Sequence, residues 1–378
     1  MSEWKTYRLG RVANITTGFP FKGDQYSSIG TRVLRGENIG DKVLRWDSHR
    51  DKRWCQPFER ADDYALQADD IVLAMDGNVG KNKARIKTDD LPLLLAQRVA
   101  CVRNNRLSDQ VFLYYVLNSR EFADYLNSVK TGTTIQHISM KQIADFEVSL
   151  PPLAEQKRIA GILGALDDKI ELNRRINANL EEQVKALFKE WFVENRALNC
   201  FRGRLSDVVQ IWDAQRKPLS GQERDKMQKI YPYYGAAALM DYVDDYLFDG
   251  IYLLVGEDGT VIDDSGFPVL QYVWGKFWVN NHAHVLTGID GFSTESLYVL
   301  LQLTNVKSIV TGAVQPKINQ ANLKNVEIDI PTGEMLKRYE AVISPLFATI
   351  RSNHDEERRL SALRDALLPK LMRGEINV

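Results

Sequence analysis

Residues 131–151 (TGTTIQHISMKQIADFEVSLP) and residues 311–331 (TGAVQPKINQANLKNVEIDIP) superpose without a gap at an offset of 180. Thr131/Thr311, Gly132/Gly312, Ile138/Ile318, Glu147/Glu327 and Pro151/Pro331 are identical. Ile143/Leu323, Phe146/Val326, Val148/Ile328 and Leu150/Ile330 keep their apolar character. Each copy ends in apolar alternation, the pattern of a short strand, closed by proline. The offset holds further on, at Lys157-Arg158 and Lys337-Arg338, Asn173 and Asn353, and Leu180 and Leu360. A chain that repeats itself at an offset of 180, about half its length, builds one plan twice and is expected to form more than a single domain.

Each copy continues into a helical pattern, over about 153–194 and about 333–372. In the first, Ile159, Leu163, Leu166, Ile170, Asn173, Asn177, Leu180, Val184, Leu187 and Trp191 alternate spacings of four and three. The same offset gives Tyr339, Ile343, Leu346, Ile350, Asn353, Glu357, Leu360, Arg364, Leu367 and Leu371. A heptad seam kept this long predicts an antiparallel coiled-coil pair, with Asn173, Asn177, Asn353 and Glu357 setting its register. The alternative is that each helix is amphipathic and packs on its own domain. A helix of about 40 residues, at roughly 1.5 Å each, is longer than a small domain is wide, which favours the pair. Pro345 is expected to kink or restart the second helix. The fold expected is therefore α+β, with two mixed α/β units alternating with two long helices. The boundaries are 1–151 and 197–331 for the globular units, 152–196 and 332–378 for the helices.

Charge narrows the function. Lys and Arg number 49 against 50 Asp and Glu, which excludes a protein that coats nucleic acid by bulk positive charge. Residues 1–151 hold 22 basic and 19 acidic side chains, residues 197–331 hold 11 and 16. Cys55, Cys101 and Cys200 lie far apart and include no CxxC, so neither a disulfide framework nor a zinc site is expected, and a reducing cytoplasm is. No apolar run is long enough to span a membrane, and the N-terminus has no signal-peptide pattern.

Catalytic signatures end in near misses. Residues 77–81 (GNVGK) resemble a phosphate loop, but Met75 and Asn82 break the spacing that such a loop needs, so a turn between strands is expected. His282 and His284 share a strand face without a third ligand at fixed spacing. Glu155-Gln156-Lys157 opens a helix and lacks an acidic strand partner. No GxSxG, HExxH or paired DxD occurs. Catalysis, cofactor and metal residues are therefore expected to be absent.

What remains suits recognition. Polar, amide and aromatic residues gather in turn-rich segments of both units, and amides and Arg can read base edges while Lys and Thr hold phosphates. In the first unit the candidates are Lys22, Arg35, Asn38, Asp76, Asn78, Lys81, Gln97, Arg98, Thr133, Thr134, Gln136 and His137. In the second they are Tyr233, Tyr234, Glu257, Asp258, Lys276, Asn280, Asn281, His282, Gln315 and Lys317. Gln97-Arg98 stands opposite Asn281-His282, and Gln136-His137 opposite Pro316-Lys317. Two similar units on a helical pair suit a duplex read at two places, and their different side chains imply an asymmetric split target.

Residues 150–159 (LPPLAEQKRI), 166–173 (LDDKIELN), 232–236 (PYYGA), 255–259 (VGEDG), 278–286 (WVNNHAHVL) and 311–318 (TGAVQPKI) resemble the DNA specificity subunits of type I restriction–modification systems. The resemblance touches nearly the whole chain. It implies two target recognition domains, each reading one half of a bipartite DNA sequence, with the helices as spacer. It also implies assembly with two methyltransferase subunits and with restriction/translocase subunits. Those partners would use S-adenosylmethionine, ATP and magnesium and carry out adenine methylation and cleavage, which this non-catalytic chain would direct. The competing expectation is a coiled-coil scaffold that holds two protein-binding modules and reads no DNA.

Overall fold

The computed structural model describes residues 4–376 except Glu59, Thr133 and Ala313. The chain divides into two compact units, but not at the edges of the globular segments. One unit runs to Ile170 and takes in the chain from Arg359 onward, and the other spans Glu171–Arg358. Both long helices are cut by this division.

In the first unit, Lys5–Arg8 pairs antiparallel with Glu147–Leu150, the strand expected before Pro151. A single helical turn then leads into Ala13–Thr17, the edge of an antiparallel sheet ordered Ala13–Thr17, Val99–Asn104, Ile71–Ala74, Lys83–Arg85. A smaller sheet joins Arg53–Trp54, Thr31–Leu34 and Leu93–Leu95. The unbroken apolar run of Ile71–Ala74 follows from burial on both faces. Ile71 and Leu73 belong to a core with Leu9, Phe112 and Ile143, while Val72 and Ala74 face a second core with Leu34 and Ile86. Beyond Val99–Asn104 the chain forms two helices, Gln110–Leu117 and Arg120–Val129. They part where the Ser119 side chain accepts the Phe122 N–H and caps the second.

The second unit repeats the plan with a larger sheet. Cys200–Arg204 pairs with Glu327–Pro331. Six strands follow the order Val209–Ile211, Ala283–Gly288, Phe248–Gly256, Leu270–Val279, Tyr231–Tyr234, Leu239–Val243. Leu253 and Val255 again face one core and Leu254 another. Ser293 caps the helix Thr294–Gln302 as Asp109 caps its counterpart.

The long helices are Leu153–Phe188, extended by a π-helical turn at Lys189–Glu194, and Gly333–Met372. Within the second unit they run antiparallel. The Asn173 Nδ2 donates to Glu356 Oε2 at 2.8 Å, Asn353 Nδ2 to Asn177 Oδ1 at 2.7 Å, and Tyr339 Oη to the Val184 carbonyl at 3.1 Å. Within the first unit, Arg364 Nη1 binds Asp167 Oδ1 at 2.7 Å. Ile159, Leu163 and Leu371 share that unit's core, and Val184, Ile343 and Ile350 share the core of the second.

The seam is broader than a heptad stripe because each helix packs on its own unit as well as on its partner. Ile159, Leu163, Ile170, Asn173, Ile343 and Ile350 are buried, while Leu166, Leu180, Leu187, Leu346, Asn353, Leu360 and Leu367 are half-buried. Phe188 and Phe347 are buried where the heptad favoured Leu187 and Leu346. The wide π turn carries Phe192 into the same core. Pro345 does not divide the second helix. It is exposed, as is Ala341 four residues before it, so proline sits on the solvent side of the helix, while Ile343 and Phe347 lie in the core on the other side.

Candidate nucleic-acid interface

Three segments meet at one end of each central strand, joined by the same backbone bonds. In the first unit the Met75 N–H donates to the Arg98 carbonyl, the Ile138 N–H to Met75 and the Gly77 N–H to Gln136, each at 2.9 Å. Thr131 and His137 exchange N–H···O bonds of 2.9 and 2.7 Å. In the second unit the Glu257 N–H donates to His282 and the Ile318 N–H to Glu257 at 2.9 Å, and the Gly259 N–H to Pro316 at 3.0 Å. Thr311 and Lys317 exchange bonds of 2.8 and 2.7 Å. The frame thus brings Gln97-Arg98 and Asn281-His282, like Gln136-His137 and Pro316-Lys317, to equivalent places.

Two glycines of each frame are obligatory. Gly77 and Gly259 have φ of 82° and 84°, Gly132 and Gly312 of 91° and 86°. A Cβ on Gly132 would lie 2.2 Å from the Ile135 carbonyl oxygen, and one on Gly312 2.3 Å from that of Gln315. Beyond these glycines the loops carry Thr134, Ile135, Val314 and Gln315, all exposed.

The side chains on the frames differ. In the first unit Asp76 accepts from Arg98 Nη1 at 2.9 Å and lies 2.5 Å from His137 Nδ1. Burial pushes the Asp76 carboxyl up, but the hydrogen bonds and charges of Arg98 and His137 outweigh it and hold the group below the ordinary aspartate range. Lys22, Asn78, Lys81, Gln97, Arg98 and Thr134 are exposed, and Gln136 and His137 half-buried. Thr133 lies outside the described residues.

Two candidates of this unit are committed to its interior. Asn38, with no exposed surface, donates to the Arg45 and Arg50 carbonyls at 3.1 and 3.0 Å and accepts the Arg35 N–H at 3.0 Å. Arg35 itself binds the Arg50 carbonyl at 3.2 Å, pairs with Glu37 and lies over the Tyr26 ring. Asn38 is therefore a loop brace, because every polar atom it would offer a base is already used.

In the second unit Asp258 lies 2.6 Å from His282 Nδ1. Glu257 accepts from Arg216 Nη1 at 2.7 Å and pairs with Lys317 at 3.3 Å. Burial raises the Glu257 carboxyl, but the Arg216 hydrogen bond and the neighbouring His284 and Arg216 charges bring it below its ordinary value. Lys276, Asn281, His282, Gln315 and Lys317 are exposed, Lys276 over the Tyr246 ring. Tyr233, 2% exposed, is an internal brace whose hydroxyl accepts the Leu219 N–H at 3.0 Å. Asn280 is also buried, and its Oδ1 accepts the His282 N–H at 2.8 Å. Tyr234 is half-buried with its ring against Phe277.

The near misses resolve as structure. Residues 77–81 form a turn closed by the Lys81 N–H on the Asn78 carbonyl at 3.1 Å. Gln156 is buried and binds the Pro151 carbonyl and the Asp109 N–H, tying the helix start to the sheet unit. Asp213, Glu257 and His284 place three possible ligand atoms within 4.8 Å of one another. The Arg216 guanidinium, 2.7 Å from Glu257 and 3.4 Å from Asp213, already supplies the cation there. The sequence pattern missed Asp213 and Arg216, whose positions have no charged counterpart in the first copy, and the exposed loop residues Ile135 and Val314. The three cysteines are free, and burial pushes the Cys101 thiol up to about 12. Among the described residues no helix is long and apolar enough to cross a membrane.

Comparison with known proteins matches the whole of this architecture. The family model described as "Type I restriction modification DNA specificity domain" covers residues 1–182 and again 202–361. The HindI specificity subunit of Haemophilus influenzae is 22% identical over all of both chains. The MjaIX specificity subunit of Methanocaldococcus jannaschii is 26% identical over 71% of this chain and 69% of its own. The EcoAI specificity subunit of Escherichia coli is 36% identical over 44% of this chain and 28% of its own. The crystal structure of the S subunit from M. genitalium superposes over 98% of this chain and 96% of its own, with a TM-score of 0.63 and 16% identity, a likeness of fold. A scaffold that reads no DNA is not favoured by these matches.

Proposed function

Because the chain belongs to the type I restriction–modification DNA specificity family, we propose that its two units read the two halves of one split, asymmetric DNA sequence through the paired loop frames. One observation carries this reading. The same hydrogen-bonded frame occurs twice, with Arg98, Gln136 and His137 on one copy and His282, Pro316 and Lys317 on the other. A shared frame with different side chains presents two different donor and acceptor patterns in one geometry, which is what reading two different half-sites requires.

The chain works as a non-catalytic cytoplasmic subunit. Two methyltransferase subunits and the restriction/translocase subunits supply S-adenosylmethionine, ATP and magnesium chemistry, and adenine methylation and cleavage follow the sequence this chain selects. The second globular segment holds 11 basic against 16 acidic residues. Phosphate neutralisation dominates affinity for DNA, so the chain alone binds DNA weakly and its partners add much of the hold on the backbone.

The test is methylome sequencing of cells that carry the system with one reading segment exchanged for that of a relative. The exchange replaces residues 13–146 and leaves in place the strand pair Lys5–Arg8 and Glu147–Leu150 and both long helices. The expected result is a change in one half of the methylated sequence with the other half unchanged. An unaltered methylation pattern overturns the reading.

A further inference from the structure

His284 has 1% of its side chain exposed, and its two ring nitrogens both face acceptors. Nδ1 lies 2.6 Å from Asp213 Oδ2, and Nε2 lies 2.9 Å from the Ile318 carbonyl oxygen. A carbonyl cannot donate. Nor does Asp213: its Oδ1 accepts the Val285 N–H at 2.9 Å, and Gln320 Nε2 at 3.3 Å and Arg216 Nη2 at 3.4 Å face its Oδ2, so donors already surround the carboxylate. Each ring nitrogen must then carry a hydrogen, and an imidazole with two N–H groups is a cation.

The charges around it are accounted for on every side. Glu257 Oε2 lies 3.7 Å from Nδ1. Arg216 touches both carboxylates, Lys317 lies 3.3 Å from Glu257, and Gln320 Nε2 lies 3.3 Å from Asp213. Ile318 directly follows Lys317, and its own N–H is held by the Glu257 carbonyl. His284 therefore grips the base of the loop that carries Gln315 and Lys317. Among the described residues the first unit has no such device. Strand register puts Ala100 opposite Leu73 as His284 stands opposite Val255, and Met75 occupies the place of Glu257.

We propose that His284 is a positioning residue for the second reader: as an imidazolium it ties Asp213 to the loop of Gln315 and Lys317, so base discrimination in that half of the target depends on its charge, while discrimination in the other half does not. The inference rests on the DNA-reading function above. Without the second proton, one ring nitrogen would aim a lone pair at an acceptor.

Two measurements test it. The first is ¹⁵N–¹H correlation of the His284 ring in the full chain at neutral pH. Two protonated nitrogens are expected, and one bare nitrogen overturns the proposal whatever the DNA does. The second measures discrimination against single mismatched base pairs in each half-site, using the chain assembled with its methyltransferase subunits. The chain is compared with its His284→Gln variant, which stays polar and cannot carry the charge. A loss of about tenfold confined to the second half-site is expected. Asp213→Asn, which keeps the shape of the partner and removes its charge, is expected to reproduce that loss, which a role in packing alone would not produce. Equal loss in both halves, or no loss in the second, overturns the His284 role and leaves the reading function standing. A complex that reads no split sequence overturns both.

Discussion

At Gly132 and Gly312 the backbone takes a left-handed turn and the loop folds back onto the place a side chain would fill. Gly132→Ala and Gly312→Ala are each expected to cost about 1–3 kcal/mol, the usual range for a strained backbone position. Each should also weaken discrimination in its own half-site only, read by thermal unfolding together with binding to singly mismatched duplexes. Asp76 adds a pH dependence. Its carboxyl is depressed in the folded chain, so the stability it contributes is full above the unfolded aspartate value of about 3.9 and is lost as pH falls below it. The difference in melting temperature between the protein and its Asp76→Asn variant should therefore shrink as pH drops below about 4. A difference that stays constant would mean the Arg98 and His137 contacts do not act on the charge.

The helical pair is held by apolar contacts around a polar centre. Asn353 Nδ2 donates to Asn177 Oδ1, and Asn177 donates in turn to the Ile350 carbonyl at 3.2 Å. Asn177→Leu takes the acceptor from the half-buried Asn353 amide and is expected to lower stability by about 1 kcal/mol. Adding Asn353→Leu removes that amide, and the double variant should recover most of the loss in a chemical unfolding series. The heptad pattern made this centre visible, since Asn173, Asn177, Asn353 and Glu357 fall on the seam. It did not show that Phe188 and Phe347 would be buried beside it. Those positions depend on the sheet units packed against the helices, which a helical period does not describe.

At the scale of the molecule, both compact units draw on both long helices. Leu371, near the end of the chain, lies in the core with Leu9 and Phe112, and Val184 lies in the core with Leu253 and Ile328. Truncation before Leu367 should therefore destabilise the first unit and impair reading of its half-site, although the deletion is far away in sequence. Inserting four residues after Asn173 lengthens the first helix by roughly 6 Å and shifts the shared seam. The expected outcome is a change in the number of unread base pairs between the half-sites, mapped by methylome sequencing. An unchanged spacer length would show that the helices do not set it.

Periodicity and repetition can be read along the chain, and they were sufficient for the two-copy plan, the strands before Pro151 and Pro331 and the long helices, while the family was legible in motif segments such as 150–159 and 278–286. The 180-residue offset also paired Gln136-His137 with Pro316-Lys317, which the frames place alike. The commitment of each polar side chain was decided only in the tertiary structure. Asn38, Tyr233 and Asn280 have the same chemistry as residues that read bases, yet their hydrogen bonds are taken by carbonyls and amides of their own unit. Donor capacity is written in the residue type, but whether it is free is settled by neighbours brought from elsewhere in the chain. The charge on His284 is the extreme case, because Asp213 and Ile318, 71 and 34 residues away, together determine it.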